Sequence, residues 1–140
     1  MDRTRALLVA ATVVAAVATL GSLGFSLVLG LVPCELCWYQ RILMYPLVVV
    51  LGVAAVDRTP TVWRMALPLS TFGTVVAAYH VYLQVTPSGI TCSFGGACAA
   101  VLYPMAGGLL TIPRLSLLAF LLVSGGLVVL ARGQESSPTR

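Results

Sequence analysis

The sequence predicts an all-α membrane protein, a single four-helix transmembrane bundle with both termini cytoplasmic. Three observations lead there. Of 140 residues, 59% are hydrophobic and 9% charged, with a mean hydropathy of +1.02. A soluble domain this short cannot hide that much apolar surface, so the solvent for most of the chain is lipid. The apolar residues also gather into four runs of membrane-spanning length, and the arginines divide unequally between the two ends of an up-and-down arrangement of those runs.

The first span is expected over residues 6–32, behind Met-Asp-Arg-Thr-Arg. A signal peptide starts the same way, and Val14 to Ala18 offers small residues for cleavage. The apolar run continues well past Ala18, however, beyond a normal signal core, so an uncleaved helix is expected. The second span covers about 38–56. Pro46 lies inside it and deprives the Ile42 carbonyl of its donor, which predicts a kink covered by neighbouring helices. After the polar turn Asp57 to Thr61, the third span covers about 65–85, with Pro68 in its first turn, where a missing N–H matters little.

Loops at 33–37 and 86–111 fall on the outer side. The longer one is rich in glycine and carries Cys92 and Cys98, and its apolar stretch from Ala99 to Met105 is suited to lying on the membrane surface. The fourth span covers about 112–131 and begins with Pro113. Residues 133–140 read as a disordered tail. There is no internal repeat and no second domain.

All eight basic residues are arginines, scattered without aromatic interleaving, so the net charge of +4 is no nucleic-acid footprint. They make sense as topology determinants. Arg3, Arg5, Arg58, Arg64, Arg132 and Arg140 share one side against Arg41 and Arg114 on the other, six against two, which puts the termini inside and all four cysteines outside.

The chain is organised around Pro33-Cys34-Glu35-Leu36-Cys37-Trp38-Tyr39-Gln40-Arg41. A helix N-terminus stabilises a thiolate through its free N–H groups and dipole. Arg41, one turn beyond Cys37, adds a fixed charge. Together they are expected to favour a Cys37 thiolate. The plainer role for Arg41 is an anchor whose side chain snorkels to the headgroups.

Cys92 and Cys98 enclose five residues, including Gly95 and Gly96. Closing so small a loop stabilises by only about 2–2.5 kcal/mol on chain-entropy grounds, and an exposed, weakly held disulfide is open to attack by an outside thiolate. The functional expectation is a shuttle, in which an external dithiol reduces Cys92–Cys98 and that pair reduces Cys34–Cys37. The alternative is a simple loop staple. With no haem, flavin or dinucleotide motif in the chain, a lipid-soluble quinone is the acceptor that a membrane-embedded thiol reaches directly.

The run Cys34-x-x-Cys37-Trp-Tyr-Gln-Arg41-Ile-Leu-Met-Tyr45-Pro46, the later cysteine pair, and Thr111-Ile-Pro113-Arg-Leu-Ser116-Leu together resemble the DsbB family, in its short-loop, BdbC-like branch. The resemblance covers essentially the whole chain. It implies a four-helix protein of the prokaryotic cell membrane that reoxidises a DsbA-like thioredoxin-fold partner and passes the electrons to ubiquinone or menaquinone. By the family pattern Cys92 forms the mixed disulfide with the partner and Cys98 attacks Cys34. Cys37 then forms a thiolate–quinone charge-transfer species, with Arg41 at the quinone. The vitamin K epoxide reductase family has the same ingredients in another order, its shuttle pair preceding the Cys-x-x-Cys.

His80 and Gln84 lie near the outer end of the third span. His80 is read either as a hydrogen-bond or proton donor to the quinone or as an interfacial polar residue. Trp38, Tyr39 and Tyr45 read as belt aromatics. A different class of function, four thiolates from Cys34, Cys37, Cys92 and Cys98 around zinc, needs thiols kept reduced in an oxidising compartment, so no metal site is expected.

Overall fold

The computed structural model describes residues 2–86, 101 and 104–135. Cys92, Cys98 and most of the expected outer loop lie outside these residues, as do residues 136–140.

Four long helices form: α1 (Arg3–Leu27), α2 (Glu35–Asp57), α3 (Trp63–Val85) and α4 (Ile112–Glu135). All four are long and apolar enough to cross a membrane. Asp2 caps α1, its carboxylate accepting from the Arg5 N–H at 2.9 Å. The helix ends at Leu27, although the apolar run extends to Val32. The reason is local: Gly30 takes φ +65°, and the Leu31 N–H turns back to the Phe25 carbonyl at 3.1 Å. That turn delivers Pro33 and Cys34 to the start of α2. Pro46 does not interrupt α2. Arg58 closes α2 in the left-handed region at φ 54°, and a short 3-10 turn, Pro60–Val62, leads straight into α3. α4 continues through Gly133 to Glu135, into the stretch expected to be a tail.

The helices follow one another around a square. Each packs on its sequence neighbour, α4 closes against α1, and the diagonals scarcely touch. Buried positions show why. In α3 they include Ala66, Ser70, Gly73, Ala77 and His80; in α2, Gln40, Met44, Leu47, Leu51 and Ala54; and in α4, Phe120, Val123, Leu127 and Leu130. These alternate steps of three and four, the seam of left-handed helix packing.

The α3 seam is made of small residues, which lets α4 approach closely, as membrane helices require when lipid offers no hydrophobic drive. A Cβ at Gly73 would run into the Phe120 ring. Ser124 Oγ donates to Ser70 Oγ at 3.0 Å and lies 3.4 Å from Thr74 Oγ1, a polar tie between α3 and α4. Toward the opposite end, Gln40 and His80 are the polar members of the same seams.

Candidate thiol site and its lipid-facing cavity

The site begins with the way α2 starts. Cys34 has extended backbone (φ −70°, ψ 169°) and is the N-cap, its Sγ accepting from the Cys37 N–H at 3.3 Å. Cys37 follows three residues later on the same face, which brings the two sulfurs to 2.8 Å. Both thiols are half-buried and unbonded in this structure.

The helix terminus therefore serves Cys34, where the sequence pointed to Cys37. Cys34 is the residue that caps, and His80 Nε2 approaches its sulfur at 3.7 Å from α3. The Cys34 thiol is held well below its ordinary range, first by the hydrogen bond from Cys37 and then by His80 and the capping N–H, with burial opposing. Arg41 is turned elsewhere. Its guanidinium donates to the Ser22 carbonyl and to Ser26 Oγ, both at 2.9 Å, tying α2 to the last turns of α1. The guanidinium also lies 5.5 Å from the Trp38 ring centroid. It is thus fixed against protein.

His80 is 2% exposed. Its Nδ1 lies 3.1 Å from Gln40 Nε2, so a chain of contacts runs Gln40–His80–Cys34 across the α2–α3 seam. Cys34, Cys37 and His80 present three soft ligand atoms within 4.8 Å of one another. Thiolates sharing a tetrahedral zinc stand about 3.8 Å apart, given Zn–S bonds of about 2.3 Å. A separation of 2.8 Å is closer than that and fits a pair that forms and breaks a bond with itself.

Beside the thiols, on the face away from α3, lies a cavity of about 550 Å³ between α1, α2 and α4, within the usual range for a small-molecule site. Its wall is mostly apolar: Val13, Val17 and Phe25 of α1, Met44 of α2, and Leu115, Leu118 and Leu122 of α4. Val13, Val17, Leu118 and Leu122 are also half or more exposed on the outer surface of the bundle, so the mouth opens sideways toward lipid. Met105, from the tight turn before α4, and Ile112, the first residue of α4, also reach the wall. In that turn Gly107 and Gly108 adopt φ 70° and 88°, and Met105 and Leu110 exchange backbone hydrogen bonds at 3.0 and 3.2 Å.

The polar groups on the wall come from Cys37, Gln40, Arg41, Tyr45, Ser22 and Ser116. Two carry buried donors that find no partner among the described residues, Arg41 Nε and the Tyr45 hydroxyl. An orphaned donor in an apolar wall is costly unless a ligand takes it.

The structure thus gathers Cys34, Cys37, Arg41 and His80 at one end of the bundle, with Cys37 and Arg41 on the cavity wall and His80 behind Cys34. Cys92 and Cys98 fall outside the described residues. Gln40 and Tyr45 are site residues to which sequence reasoning assigned no role at the site. The signal for Gln40 was a polar side chain at a seam position inside an apolar helix.

A cysteine pair capping a membrane helix, next to a lipid-facing pocket, defines a membrane thiol–disulfide oxidoreductase. Comparison with known proteins agrees. Residues 3–130 match the family model described as disulfide bond formation protein DsbB. The chain is 44% identical over 118 residues to disulfide bond formation protein C of Bacillus subtilis, covering 83% of this chain and 86% of that protein. A probable disulfide formation protein of Metapseudomonas resinovorans is 36% identical over 129 residues, with 90% of each chain covered. One from Oceanobacillus iheyensis is 43% identical over 108 residues, covering 74% and 73%. No solved structure matches. This chain belongs to the DsbB family of disulfide bond formation proteins and is a multi-pass membrane disulfide oxidoreductase.

Proposed function

We propose that this protein reoxidises a DsbA-like, thioredoxin-fold dithiol protein outside the cytoplasm and delivers the two electrons to a membrane quinone, menaquinone or ubiquinone. The observation that carries the reading is Cys37 on the wall of an apolar cavity that opens on lipid. A carrier dissolved in the bilayer enters such a pocket without crossing water.

The quinone, when bound, supplies a two-electron acceptor with two carbonyl oxygens. The residues fit it: Arg41 Nε–H and the Tyr45 hydroxyl are buried donors with no acceptor among the described residues. The apolar walls of α1 and α4 suit an isoprenoid tail. Arg41, pinned to Ser22 and Ser26, stays in place through the cycle and keeps a positive charge near Cys37.

In the electron balance, the partner's two thiols become one disulfide, and two electrons and two protons pass to the acceptor. Within the chain, Cys92–Cys98 receives the electrons from the partner and Cys34–Cys37 receives them from Cys92–Cys98, each step a thiol–disulfide exchange. Cys92 accepts the partner's thiolate and Cys98 hands on to Cys34.

Turnover of the purified protein in lipid nanodiscs, with a reduced thioredoxin-fold dithiol and a soluble quinone analogue, tests this. Cys37→Ser is expected to abolish quinone reduction while leaving helix content unchanged. Full turnover by that variant refutes the reading.

A further inference from the structure

We propose that Gln40 and His80 form a relay serving Cys34, in which Gln40 fixes the imidazole with its proton on Nε2 and that N–H stabilises the sulfur whenever Cys34 leaves a disulfide as thiolate. This rests on the oxidoreductase reading above and adds two positioning residues: His80, which lies off the wall of the acceptor pocket, and Gln40, which links that wall to His80.

The geometry comes in three parts. First, the Gln40 amide nitrogen stands 3.1 Å from His80 Nδ1. An amide N–H donates, so Nδ1 accepts, and the neutral ring carries its hydrogen on Nε2. Second, Nε2 is the atom turned to Cys34 Sγ, at 3.7 Å. Third, His80 is nearly inaccessible at 2% exposure and Gln40 at 6%. In a low-dielectric seam a hydrogen bond to an anion is strengthened, and the pair has little freedom to turn away. His80 is not among the residues of the cavity wall, whereas Cys37 and Arg41 are. The site therefore has two sides, with Cys37 and Arg41 toward the acceptor and Cys34 and His80 toward the α2–α3 seam.

The step served is an exchange. Once Cys98 has bonded to Cys34, the Cys92 thiolate attacks the Cys98 sulfur, and the new S–S bond forms between Cys92 and Cys98. The old bond breaks with its electron pair left on Cys34 Sγ. Nothing is oxidised overall, and no proton has to move, because the Nε2 hydrogen stays shared with the new thiolate. When Cys34–Cys37 closes again the same thiolate is the nucleophile, and the two electrons released leave through Cys37 to the quinone acceptor proposed above. Low leaving-group basicity speeds such exchanges.

Among the described residues, the titratable groups against Cys34 are Cys37 on its own helix and His80 on α3. Neighbouring charges are engaged elsewhere: Glu35 with Tyr39, Arg41 with α1, and Arg114 with the Leu109 carbonyl.

The test is the pH profile of alkylation in the reduced, full-length protein in nanodiscs, using iodoacetamide and fragmentation mass spectrometry to separate Cys34 from Cys37. Neither quinone nor partner is present, so a failed relay and a failed quinone reading give different results. In the unsubstituted protein Cys34 is expected to react at nearly constant rate from neutral pH down into the acid range. His80→Leu should slow Cys34 at pH 6 by at least tenfold and move its midpoint toward that of a free thiol. His80→Gln, which keeps an N–H near the sulfur, should restore most of the rate. Gln40→Leu should shift the profile in the same direction by a smaller amount, and it carries the test if His80→Leu does not fold. Alkylation of Cys92 and Cys98 serves as the internal reference. A Gln40→Leu profile that superimposes on the unsubstituted one overturns the relay. So does an equal loss in His80→Leu and His80→Gln, which marks His80 as packing only.

Discussion

At the residue scale, the two thiols of the Cys-x-x-Cys differ because the helix begins between them. Cys34 lies outside the first turn and takes the capping N–H, whereas Cys37 lies inside it and borders the cavity. The sign of the pH effect follows from the lowered Cys34 thiol. A thiol lowered in the folded state stabilises the reduced protein fully above the ordinary thiol range, and that contribution is lost as pH falls through the lowered value. The reduced form is therefore expected to lose thermal stability on acidification and the Cys34→Ser variant to lose less, in melts of both across that range. Tyr45 offers a test of the acceptor pocket. Its hydroxyl is buried without a partner among the described residues, so Tyr45→Phe removes a donor and leaves the ring in place. The KM for a quinone analogue should rise about 2–10-fold, the value of one hydrogen bond, with kcat little changed. A wild-type KM would mean that the hydroxyl does not meet the ligand. These roles were unequally legible beforehand. Cys34, Cys37 and Arg41 announce themselves because their spacing is local and the helix repeat converts it to geometry. His80 and Gln40 are forty residues apart and meet only through the α2–α3 packing, which no spacing rule supplies. Tyr45 looked like a belt aromatic because a hydroxyl without a partner is visible only in three dimensions.

At the element scale, apolar length and turn chemistry were enough to place four helices, since every backbone group in lipid must be satisfied within its own helix. The ends were less legible. Continuous hydrophobicity did not reveal that Gly30 would stop α1 at Leu27 and free a short segment to wall the cavity with Leu31 and Val32. The seam between α3 and α4 is the feature most open to test. Phe120 is fully buried over Gly73, with no room for a Cβ. Gly73→Ala is expected to destabilise by about 1–3 kcal/mol through overpacking, against the usual gain from replacing a helical glycine. Gly125 of α4 has open space around its Cβ position. Gly125→Ala should thus be neutral or stabilising by up to about 1 kcal/mol. Thermal melts of the two variants in one lipid system compare them directly, and equal midpoints would show that the close approach is not a constraint.

At the scale of the whole molecule, the square of helices separates two tasks that a redox protein in lipid must keep apart. The α2–α3 seam closes over Gln40 and His80 and holds the thiol pair at the head of the bundle. The α1–α4 side supplies the pocket wall that opens sideways. Electrons can enter from the water side and leave into the bilayer only if the head of the bundle faces an oxidising compartment. The arginines divide unequally: Arg3, Arg5, Arg58, Arg64 and Arg132 lie at the end opposite the thiols, while Arg41 and Arg114 lie at the thiol end. An excess of positive charge is expected on the cytoplasmic side, which is the orientation the proposed function requires. A membrane-impermeant maleimide added to intact cells after mild reduction should label Cys92 and Cys98 without permeabilisation, while a cysteine introduced at Thr61, in the turn before α3, should stay unlabelled until the membrane is opened. The opposite pattern would place the thiols in the reducing cytoplasm. An extracytoplasmic dithiol could not then reach them, and the direction proposed for electron flow would fail with the topology.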